Sequence, residues 1–480
     1  MKSYSCFIAN QQAIFRLLTK NVIKPALLLK LLLGSVLMPA MLKAQNPIIQ
    51  TKFMADPAPM VYNDTVFLFV GQDEDDAFGF EMYNWLLYSS TDMVNWTDHG
   101  TVASLKNFKW VNTDNGAWAA QCIRRNGKFY LYCPVPNGLG IGVLVGDSPY
   151  GPFKDPIGKP LVKNNKDDID PTILIDDDGQ AYMYWGNPNL YYVKLNEDMI
   201  SYSGEIIKDT SFAKVRGRPD PFHFQEGPWA YKRNGNYYMA YASTCCPEGI
   251  GYAMSNSPTG PWVYKGSIMD GNKRSNGNHP GIIDYKGQSY VFGLNYEILK
   301  RTMSKHYERR SIGLEKITYN DDGTIPKLPF WSTDVKQLGT LDPYKKVQAE
   351  TIAFSEGVKT EAATEWERNV SWNRGKKIAD RLYVTSINNG DYIKVKGVDF
   401  LNGASAVEVN VASLYGGKIE IRTDRMDGPL IATVDVKTSA EGDIWKTISA
   451  PVKNSKGVHD LYFVFKGQKD LFYFDWWQFK

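Results

Sequence analysis

Five times in its first two-thirds the chain repeats one short pattern: a marked residue, an alternating apolar run, and a turn of the kind that closes a β-hairpin. Asp56 precedes a run turning at Asn63-Asp64, Trp118 one turning at Asn126-Gly127, and Asp170 one turning at Asp178-Gly179. Glu226 precedes a run turning at Asn234-Gly235 and His279 one turning at Lys286-Gly287. The offsets from marked residue to turn are 7, 8, 8, 8 and 7 residues. Asn-Gly or Asp-Gly between alternating runs is the strongest short-range hairpin signal, because the two-residue turn that matches strand twist needs positive φ at both central positions. From turn to turn the spacing is 63, 52, 56 and 52 residues, close to the period that marks a propeller or a solenoid.

The expectation is an all-β chain with a five-bladed β-propeller over residues 45–335, each blade having room for about four short strands. Units two and four end alike, in Ser148-Pro149-Tyr150-Gly151-Pro152-Phe153 and Ser257-Pro258-Thr259-Gly260-Pro261-Trp262, turn-plus-aromatic closures suited to a blade's outer edge. In a propeller the first strand of every blade lines the channel, so Asp56, Trp118, Asp170, Glu226 and His279 are expected to converge at one mouth. Three carboxylates gathered from distant segments raise one another's pKa and give the fold no benefit, so chemistry is the reason to keep them. An aromatic content of 13% with 29 Tyr, and no long 3.6-period stripe after residue 44, also favour β structure.

After Trp331 the pattern changes. Residues 336–346, with Asp342-Pro343-Tyr344-Lys345-Lys346, read as a linker, and residues 347–480 as a separate β-sandwich of the jelly-roll kind, with short alternating strands ending in Phe474-Asp475-Trp476-Trp477. Thr360–Arg381 has no period and reads as a long loop.

Residues 1–44 carry six basic and no acidic side chains ahead of a small residue at Ala44, which resembles a signal peptide cleaved near that position. The expectation is export to the periplasm or the extracellular space, without stable membrane insertion after cleavage. The full chain is +3, so the remainder is 3 − 6 = −3, and no basic balance points to nucleic acid. The later cysteines are Cys122, Cys133, Cys245 and Cys246. A two-residue turn at Asn126-Gly127 sets Cys122 opposite Leu131, not Cys133, so that hairpin offers no simple bridge; Cys245-Cys246 reads as two thiols or a vicinal disulfide.

Cleaving a glycosidic bond needs one protonated carboxyl to protonate the leaving oxygen and one ionised carboxylate to activate water. A third can orient the acid and hold its pKa up. Here the chain closely resembles glycoside hydrolase family 43, through Ala55-Asp56-Pro57, Ser89-Ser90-Thr91-Asp92-Met93, Ile169-Asp170-Pro171-Thr172, Glu226-Gly227-Pro228-Trp229 and Asn278-His279-Pro280-Gly281. The resemblance implies Asp56 as general base, Asp170 as pKa modulator, Glu226 as general acid, inversion at the anomeric carbon, and no organic cofactor. It implies a polysaccharide or oligosaccharide substrate. Release of α-L-arabinofuranose from arabinoxylan or arabinan is the first expectation, with β-D-xylosidase or endo action as the alternative on the same scaffold. A non-catalytic glycan-binding propeller is the alternative from another class; loss of an acid would favour it, and none is lost.

Further residues keep two readings each. Trp118 is core or a sugar-stacking ring; His279 is support or contact to an ion or water on the propeller axis. Arg309-Arg310 is surface charge, or one of them, Arg310, reaches the sugar. The Asp73-Glu74-Asp75-Asp76 run is a solvated loop or a rim contact to hydroxyls, and Asp176-Asp177-Asp178 a solvated hairpin tip. The C-terminal segment resembles carbohydrate-binding module family 6 through Val347-Gln348-Ala349-Glu350, Gly390-Asp391-Tyr392-Ile393, Gly457-Val458-His459-Asp460-Leu461 and Phe474-Asp475-Trp476-Trp477. That resemblance implies a structural calcium held by Gln348, Glu350 and Asp475. Glu441-Gly442-Asp443 stands where related modules place Gly-Gly-Trp, so a stacking aromatic is missing, and a structural brace against the propeller is the alternative to glycan binding.

Overall fold

The computed structural model describes residues 46–480 except 76–78, 213–222, 244–246, 273–276, 303–308, 332–333, 363–381, 414 and 439–444. The leader over 1–44, the Cys245-Cys246 pair and the Glu441-Gly442-Asp443 departure lie outside the described residues.

The five repeats form five antiparallel sheets in chain order. The first contains β1 (Met54–Tyr62), β2 (Thr65–Gln72), β3 (Asn84–Ser90) and β4 (Trp96–Ser104); the second β5 (Gln121–Arg125), β6 (Lys128–Val135) and β7 (Gly140–Gly146). The third contains β8 (Thr172–Ile175), β9 (Ala181–Trp185), β10 (Tyr191–Leu195) and β11 (Tyr202–Lys208). The fourth has β12 (Phe224–Arg233), β13 (Asn236–Ser243), β14 (Gly249–Ser255) and β15 (Val263–Met269), and the fifth β16 (Gly281–Tyr285), β17 (Gln288–Asn295) and β18 (Ser311–Ile317). Among the described residues the second and fifth sheets thus have three strands where four were expected.

Four hairpins close as the turn chemistry requires. Tyr62 pairs with Thr65, Arg125 with Lys128, Arg233 with Asn236 and Tyr285 with Gln288, and all eight intervening residues have φ between 47° and 79°. The third differs: Ile175 pairs with Ala181, because Asp176 folds the tip on itself, its carbonyl accepting from Gly179 N and its carboxylate from Asp177 N. Cys122 lies opposite Leu131 as its turn dictates, and Cys122 and Cys133 are free, buried thiols.

The first strands are neighbours in a closed cycle: β1 meets β5 and β16, β5 meets β8, β8 meets β12, and β12 meets β16. Apolar layers fill the spaces between adjacent sheets, so middle strands are buried on both faces. Leu68 and Phe292 belong to the layer between the first and fifth sheets, Tyr132 and Met183 to that between the second and third. This is why β9 and β13 read as nearly continuous apolar runs. Each such side chain contributes about 1.5–3 kcal/mol when fully buried.

The C-terminal part is a sandwich. One sheet runs β22 (Lys359–Ala362), β23 (Leu382–Thr385), β30 (Tyr473–Phe479), β25 (Ala406–Ala412), β28 (Lys446–Pro451), with β19 (Val347–Gln348) on β30. The other runs β21 (Phe354–Glu356), β24 (Tyr392–Asp399), β29 (Val458–Lys466), β26 (Gly417–Thr423), β27 (Leu430–Val436). Alternation places Ile393, Val395, Ile419 and Phe463 from one sheet against Val409, Phe474 and Trp477 from the other.

One expectation is corrected here. Residues 360–362, the start of the stretch read as a loop, belong to β22, which pairs with β23 too far along the chain to show a local period. The sandwich also packs on the first sheet: β20 (Thr351–Ile352) adds a fifth strand to it, Thr351 opposite Thr97 and Ile352 opposite Trp96. Asn95 exchanges two hydrogen bonds of 2.9 Å with the backbone of Lys396. The linker is pinned as well, with Leu338 N donating to Asp92 O and Gln337 Nε2 to the Asp92 carboxylate. Asp92 of the Ser-Thr-Asp-Met segment is therefore a buried turn cap that fastens the linker.

Candidate active site

Backbone irregularity aims the marked residues. Asp56 and Asp170 stand at φ 59° and 57°, each directly before a proline, a left-handed conformation that costs an L-residue about 1–3 kcal/mol and collects at functional positions. The β1–β2 register slips between Ala55 and Ala58, and the β12–β13 register slips on either side of Glu226; such bulges turn a side chain out of the strand's alternation. Gly227 has φ 56°, and a Cβ there would lie 2.5 Å from the His279 ring, so only glycine lets β12 pass the imidazole.

The convergence expected from the repeat is present for four of the five residues around one imidazole. His279 Nδ1 is 3.4 Å from Asp56 Oδ1, and Nε2 is 3.7 Å from Asp170 Oδ2 and 3.5 Å from Glu226 Oε1. Asp170 also accepts Gly227 N at 3.1 Å, and Glu226 accepts from Asn187 Nδ2. A cavity of ≈ 20 Å³ adjoins them, lined by Gln121, Trp229 and the prolines that follow the acids. Asp56 and Asp170 are buried, whereas the Glu226 side chain keeps 17% of its surface exposed. The fifth residue, Trp118, lies partly buried before β5, its Nε1 donating to Phe80 O at 3.4 Å; both readings of that ring stand.

Electrostatics follow from one cation among three anions. Burial would push His279 down, but Asp56, Asp170 and Glu226 outweigh it and raise the imidazole to about 10. Burial raises Asp170 to about 7, against His279 and with Glu226 and Asp56 adding to the rise. Burial also raises Asp56, with Arg310 and His279 acting the other way. For Glu226 burial is overcome by the hydrogen bond and charge of His279, then Arg310 and Asn187, and its pKa falls. Burial thus favours the neutral form of Asp170, while the hydrogen bond and charge of His279 favour the ionised form of Glu226.

The surface-charge reading of Arg310 and the solvated-loop reading of Asp73 are both overturned. Arg310 and Asp73 are fully buried, the Arg310 Nη1 donating to Asp56 Oδ1 at 3.2 Å and Nη2 to Asp73 Oδ1 at 3.0 Å. Arg309 is buried too, Nη2 donating to Gly79 O. Two charges so far apart in sequence neutralise each other only in the fold, and no local spacing announces them. Asn187 and Glu248 also escape sequence reasoning; Glu248 is buried, accepts Asn278 N at 2.9 Å, and is raised to about 7 by burial and by Glu226. The Asp176 cluster is at a hairpin tip as expected, with Asp177 and Asp178 exposed, but the Asp176 side chain is 10% exposed and tied to Lys232 and Tyr237.

A profile for Glycosyl hydrolases family 43 matches residues 44–325, more than half of the chain. The chain belongs to glycoside hydrolase family 43. Family 43 is a β-propeller family, and membership makes this protein a glycosidase. A second profile, Carbohydrate binding module (family 6), matches residues 348–480. The family 43 arabinoxylan arabinofuranohydrolase of Bacillus subtilis (strain 168) is 33% identical over 90% of this chain and 92% of its own. That of Paenibacillus polymyxa is 33% identical over 90% of this chain and 74% of its own. The crystal structure of the Bacillus subtilis family 43 arabinoxylan arabinofuranohydrolase in complex with cellotetraose matches with a TM-score of 0.76 at 32% identity, covering 91% of this chain and 97% of that one.

Two groups bear on metal. Asp170, Glu226 and His279 bring ligand atoms within 4.8 Å of one another. Two carboxylates and an imidazole are a poor match for calcium, which takes about 6–8 oxygens, and a cation there would have to displace the imidazolium proton; these residues alone do not fit it. The C-terminal trio fits better. Glu350 is 6% exposed with Oε2 lacking a hydrogen-bond partner among the described residues, and Asp475 is buried close enough to add to the rise in the Glu350 pKa that burial begins. Gln348 is exposed.

Proposed function

We propose that the protein is an exported, inverting exo-glycosidase that releases α-L-arabinofuranosyl units from arabinoxylan or arabinan, its five sheets serving as the five blades of a propeller. The observation that carries the reading is the set of three carboxylates held around His279 at the meeting point of the first strands. The closed cycle of those strands supports the five blades, and the similarity over 90% of this chain to two arabinoxylan arabinofuranohydrolases supports the substrate. The basic, apolar leader supports export.

Glu226 protonates the leaving oxygen as the C1–O bond breaks, while Asp56 takes a proton from the water whose oxygen bonds to C1 from the opposite face. Arg310 opposes the burial that raises the Asp56 pKa and so favours the ionised form that task needs. A bound sugar covers the exposed part of Glu226, removes its hydration and raises its pKa, which favours the protonated acid. Asp170, held by Gly227 N beside Glu226, is the modulator of that rise. After hydrolysis Asp56 gives its proton to solvent and Glu226 takes one up.

Digestion of arabinoxylan followed by proton NMR tests the reading. The expected first product is arabinose in the β configuration, appearing before mutarotation. First-formed α-arabinose would remove Asp56 from the role of base, and xylose without arabinose would move the specificity to β-xylosides.

In the C-terminal domain, whose strands we assign to a jelly roll, Glu350 and Asp475 would hold a structural calcium, which supplies charge neutralisation for two buried carboxylates. Calcium at about 100 times its Kd should add about 2.7 kcal/mol of stability, read as a rise in Tm reversed by EDTA. Glu350→Gln should show no calcium response and match the chelated parent, in which burial already favours the uncharged form of Glu350.

A further inference from the structure

We propose that Asp73 is a positioning residue for the base: it fixes the Arg310 guanidinium so that Nη1 meets Asp56. The inference rests on the reading of Asp56 as base. Asp73 follows β2 in the first sheet and Arg310 precedes β18 in the last, 237 residues away. The Asp73 carboxylate is 0% exposed. Its oxygens accept three N–H groups of Arg310: backbone N at 2.9 Å and Nε at 3.1 Å on Oδ2, and Nη2 at 3.0 Å on Oδ1.

This is the two-pronged geometry in which a planar guanidinium is held in one orientation, whereas an ammonium would be held only as a point charge. The prong left over, Nη1, is the one that donates to Asp56 Oδ1 at 3.2 Å. The guanidinium is packed as well, with Met82 Sδ 3.3 Å from Nη2 and the Phe80 ring centred 5.0 Å from Cζ. Asp73 has no free edge to offer a sugar. Its place is behind the arginine, and the arginine's place is behind the base.

A double-mutant cycle on an aryl α-L-arabinofuranoside tests this coupling. Asp73→Asn should lower kcat about 100-fold, in the range of a lost charge-assisted contact to a reacting group, with KM within about threefold of the parent. Arg310→Ala should lose at least as much. If Asp73 acts through Arg310, the double variant is no slower than Arg310→Ala alone; multiplied losses would show independent roles and overturn the proposal. Free guanidinium ion should partly restore Arg310→Ala and fail to restore the double variant. Rescue that ignores residue 73 would also overturn it.

Should Asp73→Asn not fold, Arg310→Lys takes its place, since it keeps the charge without the fork: kcat should fall there too, and a wild-type kcat rules out the geometric role. A near-parental kcat in Asp56→Ala would sink the base assignment itself. An inactive Asp56→Ala beside a wild-type Asp73→Asn would sink this inference alone.

Discussion

Asp56→Ala should slow hydrolysis of every substrate by orders of magnitude, whereas Glu226→Ala should spare aryl glycosides whose phenol leaves without help. The difference follows from what each carboxyl does to a proton. Asp56 is buried against Arg310 and must remove a proton from water whatever the leaving group is. Glu226, the most exposed of the three acids, supplies a proton that an alkoxide needs and a nitrophenolate does not. General acid or base assistance is worth about 10²–10⁴-fold. The expected result is a loss of that size for Asp56→Ala on natural and aryl substrates alike, and for Glu226→Ala on natural substrates only. The check is kcat across a series of phenols of rising pKa: flat for Asp56→Ala, steep for Glu226→Ala. Equal slopes would contradict the assignment of roles.

Ending the chain at Lys346 should cost the propeller its stability even though no acid is touched. β20 covers the edge of β4, and without it Trp96 and Thr97 face an open edge on that side. Asp98 is held by Lys52 at 2.7 Å, Tyr88 at 3.1 Å and Thr360 at 2.7 Å, and its backbone N–H donates to Glu350 O. Truncation removes Thr360 and Glu350 and opens this buried pair to water. It also removes Ser355 N from Gln50 and Lys359 from Asp75. An unpaired edge next to apolar surface is a site for pairing with other chains. The expected outcome is aggregation, or a fall in Tm of about 10 °C or more, by calorimetry on residues 45–346 beside residues 45–480. An unchanged Tm would show that the sandwich is separable.

The repeat is legible in the sequence because turns with φ > 0 restrict residue type and mark each hairpin, and because the offset from marked residue to turn is fixed by strand length. Asp56, Asp170, Glu226 and His279 come with it, each at the head of a first strand. The Asp176 tip is longer than its turn residues suggest because its carboxylate competes for the backbone N–H groups that a two-residue turn would leave elsewhere. Arg310 and Asp73 mislead for a different reason. Each looks like surface charge in its own neighbourhood, and only the ring of sheets brings the first and last units together. β20 and β22, strands of two and four residues, are too short to carry a period.

The pairing of Ile352 with Trp96 also orders events at the ribosome. The two partners are 256 residues apart, so at about 5–20 residues per second the covering strand emerges roughly 13–50 s after the one it covers. For that interval the sheet made first is the one left unfinished, and its open edge faces whatever else is in reach. The last third of the chain closes that window, so a nascent molecule is protected only once its own C-terminal domain arrives.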